Sequence, residues 1–115
     1  MSQVPKKTIA LVKQRDNESC VRCGRMGGNI HHRRMRSQSP KWAVHNIENL
    51  ILLCGSGTTG CHGWVHGHPA ESYENGWMVR SYRDPENVPL IDAEGRAWFL
   101  TNRGTKIQAE MEVPC

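Results

Sequence analysis

The chain has 115 residues, enough for one domain with a modest core, and only 6% of them are Phe, Trp or Tyr, so a staple is expected to supplement hydrophobic burial. No apolar run is long enough to span a membrane, and residues 1–10 are polar and basic with no signal-peptide core after them; a cytosolic, reducing compartment is the expectation. The formal net charge of +4 hides an asymmetry, with ten Lys/Arg against two acids in residues 1–41 and five against nine in residues 42–115. A basic first third suits a polyanionic partner, although charge alone favours a merely solvated face.

Taken in chain order, Ile9, Leu11, Val12 and Arg15 suit a short amphipathic helix over residues 6–17, with Thr8 as its cap if it starts late. Cys20-Val-Arg-Cys23-Gly24 has the form of a metal-binding turn. Ile30-His31-His32 reads as a short strand end, and the basic, Ser-Pro-containing residues 33–42 read as loop. Asn49 to Leu53 is the most apolar stretch, a buried strand or a helix start. A Gly/Ser/Thr loop separates Cys54 from Cys61, and His62 to His66 spans a helical turn. Pro69 suits the first position of a further helix that Gly76 would stop. Trp77 to Val79 resembles a strand, and residues 88–91 and 97–101 are expected to pair as a hairpin around residues 92–95. Residues 110–115 are expected to fray.

Five cysteines in a small cytosolic chain point to metal ligation rather than disulfides. Cys20 and Cys23 are separated by two residues, Cys54 and Cys61 by six, and Cys115 is the spare. Four thiolates can close a tetrahedral zinc site, joining two distant segments and supplying the staple a small core needs. Three alternatives stay open: a buried core thiol at Cys54, a thiol redox pair at Cys20/Cys23, and His62 replacing Cys61 on zinc. The redox pair needs a βαβ context that the pattern lacks.

The ordered set Cys20-x2-Cys23-Gly24, Ile30-His31-His32-Arg33, Glu48-Asn49-Leu-Ile-Leu-Leu-Cys54 and Cys61-His62-x3-His66 resembles the HNH endonuclease family. The run from Leu53 to Trp64 is similar to the small HNH proteins of bacteriophages and their actinobacterial hosts. The resemblance covers about residues 8–80. It implies a small ββα-metal domain; with the structural zinc site and the C-terminal β-hairpin read from the residues, the chain is expected to be α+β. Residues 1–80 would form the nuclease domain with its N-terminal basic helix, and residues 81–115 a strand extension and tail. The implied activity is hydrolysis of DNA phosphodiesters, leaving 5′-phosphate and 3′-hydroxyl ends. By the motif, His31 ligates a catalytic divalent ion, His32 is the general base, Asn49 braces the loop carrying the base, and His62 is a second metal ligand. His66, one helical turn beyond His62, can face the same ion, with His68 as the alternative. Imidazole ligands leave that ion open between Mg²⁺, Mn²⁺, Ni²⁺ and Zn²⁺.

Arg33, Arg34 and Arg36 follow the histidine pair and are expected on DNA phosphates, with Lys6, Lys7, Arg22, Arg25 and Lys41 extending that surface. Trp64, Trp77 and Trp98 are expected in the core, while Trp42 stays ambiguous. His45 reads as a surface residue. Double-stranded DNA is the expected partner of a monomer, and the resemblance suggests a place beside phage terminase in DNA packaging. The competing expectation is a non-catalytic zinc module that binds DNA or protein.

Overall fold

In the computed structural model, which describes residues 3–109, the chain folds around a short β-hairpin whose two faces feed two different apolar clusters. Strand β1 (Asn29–His32) pairs antiparallel with β2 (Leu50–Leu53), placing Ile30 opposite Leu52, His31 opposite Ile51 and His32 opposite Leu50. All four β2 side chains are buried. The two-residue alternation of a strand divides them. Leu50 and Leu52 join Val12 and Ile47 on one face, while Ile51 and Leu53 join Val21, Val65 and Trp77 on the other. That is why the segment reads as a continuous apolar run.

Helix α1 (Lys6–Arg15) covers the first face through Val12. It begins after Pro5 and carries no side-chain cap, so Thr8 does not cap it. It stops short of the expected residue 17 because Asn17 and Glu18 adopt left-handed φ of 55° and 52°. At its end Arg15 and Asp16 form a buried ion pair of 2.8 Å. Arg15 donates to the carbonyls of Ile47 and Leu50, and Asp16 accepts from the Leu52 N–H, pinning the helix to β2.

Helix α2 (Gly60–Gly67) packs on the other face through Cys61 and Val65. Helix α3 (Pro69–Glu74) follows with Pro69 at its first position, as expected. Gly76 ends this unit at φ 75°, where a Cβ would lie 2.0 Å from the Pro89 carbonyl oxygen, so only glycine fits. Trp77 to Val79 is buried but is not a strand. The Met78 N–H bonds the Ser72 carbonyl, the Val79 N–H bonds that of Arg33, and the Trp77 indole bonds that of Ile91. These bonds run to three separate segments, so no ladder forms.

The expected C-terminal hairpin is present as β3 (Leu90–Ile91) and β4 (Ala97–Leu100). A third strand, β5 (Lys106–Gln108), extends it into a sheet of order β3-β4-β5. Leu90 and Leu100 lie in the same cluster as Ile51 and Val65, so this segment completes the main core. Trp77 is buried there, Trp64 and Trp98 are half-buried, and Trp42 is exposed. No helix of the described residues is long and apolar enough to cross a membrane. The residues expected to fray, 110–115, and the spare Cys115 lie outside the described residues.

Candidate metal centres

Two clusters of potential ligands form on either end of the β1–β2–α2 unit. The first gathers Cys20, Cys23, Cys54 and Cys61, whose sulfurs all lie within 4.8 Å of one another. The Cys20–Cys23 turn is closed by Gly24 N–H to Cys20 O at 2.8 Å and tied to β2 by Val21 N–H to Leu52 O at 2.9 Å. Cys54 ends β2 and Cys61 opens α2. The six-residue gap closes tightly on itself: a Cβ at Gly55 would sit 2.2 Å from the Thr59 carbonyl oxygen. The Cys23 and Cys54 sulfurs are 3.7 Å apart. A tetrahedral site with Zn–S of about 2.3 Å has S···S edges of about 3.8 Å. All four thiols are free, and the donor set is the one zinc takes in closed structural sites.

Burial pushes the thiols of Cys20 and Cys61 up, Cys61 to about 12. The Cys61 backbone N–H, 3.4 Å from the Cys54 sulfur, draws Cys54 down to about 7. Metal binding at this frame therefore releases protons. Arg22, expected on the DNA-facing surface, instead points inward. It donates to the Cys61 sulfur at 3.3 Å and its guanidinium lies 3.7 Å from the centre of the Trp64 ring. Cation–π attraction to the indole and the hydrogen bond to sulfur hold it there.

The second cluster is His31, His62 and His66, with ligand atoms again within 4.8 Å of one another. Ring centroids are 5.1 Å apart for His31–His62, 5.5 Å for His31–His66 and 5.0 Å for His62–His66. His62 and His66 share one stripe of α2 by their four-residue spacing. His31 reaches them from the α2-facing side of β1. Its Nε2 lies 2.8 Å from the Trp77 carbonyl oxygen, and a carbonyl can only accept, so Nε2 carries the proton and Nδ1 keeps a lone pair. That is the arrangement by which an outer partner orients a metal-ligating imidazole. Burial, then the neighbouring His62 and His66, lowers His31 to about 3; burial, then His66, lowers His62 as well. Both shifts favour the neutral form, in which an imidazole nitrogen keeps a lone pair. The buried Nδ1 of His62 has no hydrogen-bond partner. A divalent cation fits this donor set and would offset the cost of desolvated imidazole nitrogens. His68 stays outside the cluster. Its ring stacks on Trp64 at 4.0 Å and its Nδ1 bonds the Trp64 carbonyl.

His32 points to the opposite side of β1, yet meets the same cluster. It lines an open cleft of about 950 Å³ together with Ile30, Arg36, Lys41, His62 and His66. The two histidines of α2 lie beside the His31 ring and also line this cleft. Adjacent histidines on one strand can then serve one centre without a break in β1. Burial, then the Arg36 charge and His45, lowers His32 to about 4, leaving it a neutral proton acceptor. His45, expected as a surface residue, places Nδ1 3.1 Å from His32 Nε2. No spacing rule finds this contact, because the two lie thirteen positions apart across the loop.

Asn49 is fully buried and clamps that loop. Its side-chain oxygen accepts from the Arg34 N–H at 2.7 Å, and its amide donates to the carbonyls of Arg34 and Val44 at 3.2 and 3.1 Å. The arginines divide sharply. Arg36 is exposed and lines the cleft. Arg34 is half-buried, donating to Ser39 Oγ and to the Arg83 carbonyl. Arg33 cannot contact DNA: it is 0% exposed and donates to the carbonyls of Gly76, Glu48, Pro85 and Val88 at 2.8–3.0 Å. Burial lowers its guanidinium to about 9, still charged at neutral pH. The reason is strand parity, since two residues on from His31 it shares the buried face.

Comparison with protein-family models, with curated proteins and with solved structures finds no match to this chain.

Proposed function

We propose that the chain is a metal-dependent HNH-type endonuclease that hydrolyses DNA phosphodiesters. The observation that carries this reading is the clustering of His31, His62 and His66, with His62 and His66 sharing an open, basic cleft with a fourth histidine, His32. A non-catalytic zinc module needs the cysteine frame and a basic surface, but gains nothing from a second set of buried imidazoles. His31, His62 and His66 would hold the ion, which when bound neutralises phosphate charge and stabilises the leaving oxygen. His32 takes a proton from the attacking water, within reach of the phosphate that Arg36 and Lys41 position. His45 orients the His32 ring, and Asn49 fixes the loop that carries His45 and Lys41.

The test is supercoiled plasmid incubated with zinc-loaded protein and added Mg²⁺, Mn²⁺ or Ni²⁺. The parent is expected to nick it, and His32→Ala to lose about a hundredfold or more in rate, the scale of a general base, with zinc content and circular dichroism unchanged. Equal nicking by the two proteins would remove His32 from its role. Retained DNA binding without nicking under any of the ions would favour the non-catalytic module.

A further inference from the structure

Across the 34–46 loop from the histidine cleft lies a second cavity, of about 580 Å³. Residues of the loop divide between the two spaces: Met35, Arg36, Lys41 and Val44 line the cleft, and Arg34, Trp42 and Ala43 line the cavity. Trp42 is 80% exposed and Tyr82 79% exposed, and both border this one hollow. Two large rings left in water beside a shared cavity mark a binding surface rather than scattered apolar residues. Both are interleaved with cations. Lys41 precedes Trp42, Arg83 follows Tyr82, and Arg34 and Arg83 line the cavity itself. Aromatic faces set among basic side chains are the chemistry that holds unpaired bases of a nucleic acid strand.

The acidic lining determines which part of a nucleotide enters. Glu48 borders the cavity, is 6% exposed, and its buried Oε2 has no hydrogen-bond partner. The nearby Arg33 attracts it, but that guanidinium donates to four backbone carbonyls. Carboxylates accept hydrogen bonds, and three acidic side chains on one lining, Glu48, Asp84 and Glu86, disfavour phosphate. The sugar–phosphate backbone is therefore kept to the basic rim, while an amino-bearing base edge is drawn in.

We infer that this cavity takes one unstacked nucleobase of the DNA strand, its ring against Trp42 and Tyr82 and its amino edge toward Glu48. Guanine suits it best, because its N1–H and N2–H₂ lie side by side and offer two adjacent donors to the carboxylate. Cytosine and adenine offer one amino group, and thymine only an imide N–H. The inference rests on the nuclease reading for its choice of strand, and it deepens that reading. The substrate would be DNA with an unpaired or extruded base near the cleavage point.

Fluorescence anisotropy of labelled single strands tests this without added catalytic ion, so cleavage does not enter. The probes are a short oligothymidine and the same strand with one central guanine. The guanine strand is expected to bind about tenfold tighter. Trp42→Ala and Tyr82→Ala should each weaken binding of both strands by about tenfold, the scale of one base–aromatic stack. Glu48→Gln should erase the guanine preference while leaving oligothymidine binding intact. Should Glu48→Gln fail to fold, the two aromatic variants, altered only at exposed positions, still decide. Equal binding of the two strands by the parent would overturn the inference, as would unchanged affinity in a Trp42→Ala/Tyr82→Ala double variant. So would quenching of Trp42 fluorescence by arginine amide with no affinity for either strand, which would mark a site for a basic protein side chain. Guanine-selective binding by a protein that never nicks plasmid would overturn the nuclease reading alone.

Discussion

Arg33 is the residue whose substitution should be most damaging, although its place in a run of arginines makes it look like a surface contact. Replacing it with Met keeps the volume of the side chain but removes every donor. Three buried carbonyls, those of Gly76, Glu48 and Val88, lose the guanidinium, and Pro85 retains only the long 3.3 Å bond from the Val88 N–H. A buried acceptor without a partner costs about 1–3 kcal/mol, and relaxation with water entry lowers the sum, so the loss should be about 3–5 kcal/mol. Small domains have only about 5–15 kcal/mol in total. At about 4 °C per kcal/mol, the melting temperature should fall by about 12–20 °C. Arg33→Lys should recover only part of this, because an ammonium cannot present the planar fork that reaches four carbonyls on three segments. The assay is thermal unfolding of zinc-loaded protein followed by circular dichroism. An Arg33→Met protein melting within about 3 °C of the parent would refute the reasoning, since its predicted loss is several times larger.

Asp92 supplies the pH-dependent test. Burial raises its carboxyl, but hydrogen bonds from the Trp98 indole and from the Arg96 and Glu94 N–H groups outweigh this and hold it below its usual range. A depressed carboxyl stabilises the fold above its unfolded pKa, and that contribution is lost as pH falls through the folded value. Asp92→Asn should therefore lower the melting temperature by a constant amount between pH 5 and 8, with the gap narrowing as pH falls below about 4; a gap undiminished on acidification would contradict the ionised hydrogen-bond acceptor. Metal analysis of protein expressed with zinc should find about one ion held by the cysteine frame. Cys54→Ser should lose that ion and melt lower, whereas a parent that melts unchanged after chelation would show that the frame is not a staple.

Both ligand clusters were legible because their members come in local pairs. Cys20 and Cys23 share one turn, His62 and His66 one helix stripe, and the hairpin that brings His31 beside them joins neighbouring segments. The choice of His66 over His68 was not legible, since it depends on the stacking of His68 against Trp64. Contacts that run across the chain were invisible. His45 meets His32 through the clamped loop, Arg22 meets Cys61, 39 positions on, and Trp64 beyond it, and β5 adds to a sheet its own composition does not announce. Arg33 illustrates a different failure. Residue type says solvent, while the parity of β1 through His31, His32 and Arg33 says core, and the buried, half-buried, buried sequence shows that parity prevails.

Helix α2 explains how so small a core holds two centres apart. It has eight residues, too few for an isolated helix to persist in water, so its pose is set by what its side chains grip. Three pairs at four-residue spacing grip three things. Cys61 and Val65 enter the cysteine frame and the core, His62 and His66 face His31 and the cleft, and Trp64 and His68 stack beneath the Arg22 guanidinium. Cys61 and His62 are adjacent, so a ligand of the first cluster and a ligand of the second move as one rigid peptide. Arg22 closes the link by touching the Cys61 sulfur and Trp64 at once. Trp64 in turn meets Trp77 edge-on at 6.0 Å, and the Trp77 carbonyl orients His31. The cysteine frame thus sets the spacing of the histidines from both sides, through α2 to His62 and through the indole pair to His31. A metal held by the four thiols would in this way do the positioning that a larger domain obtains from a thicker apolar core.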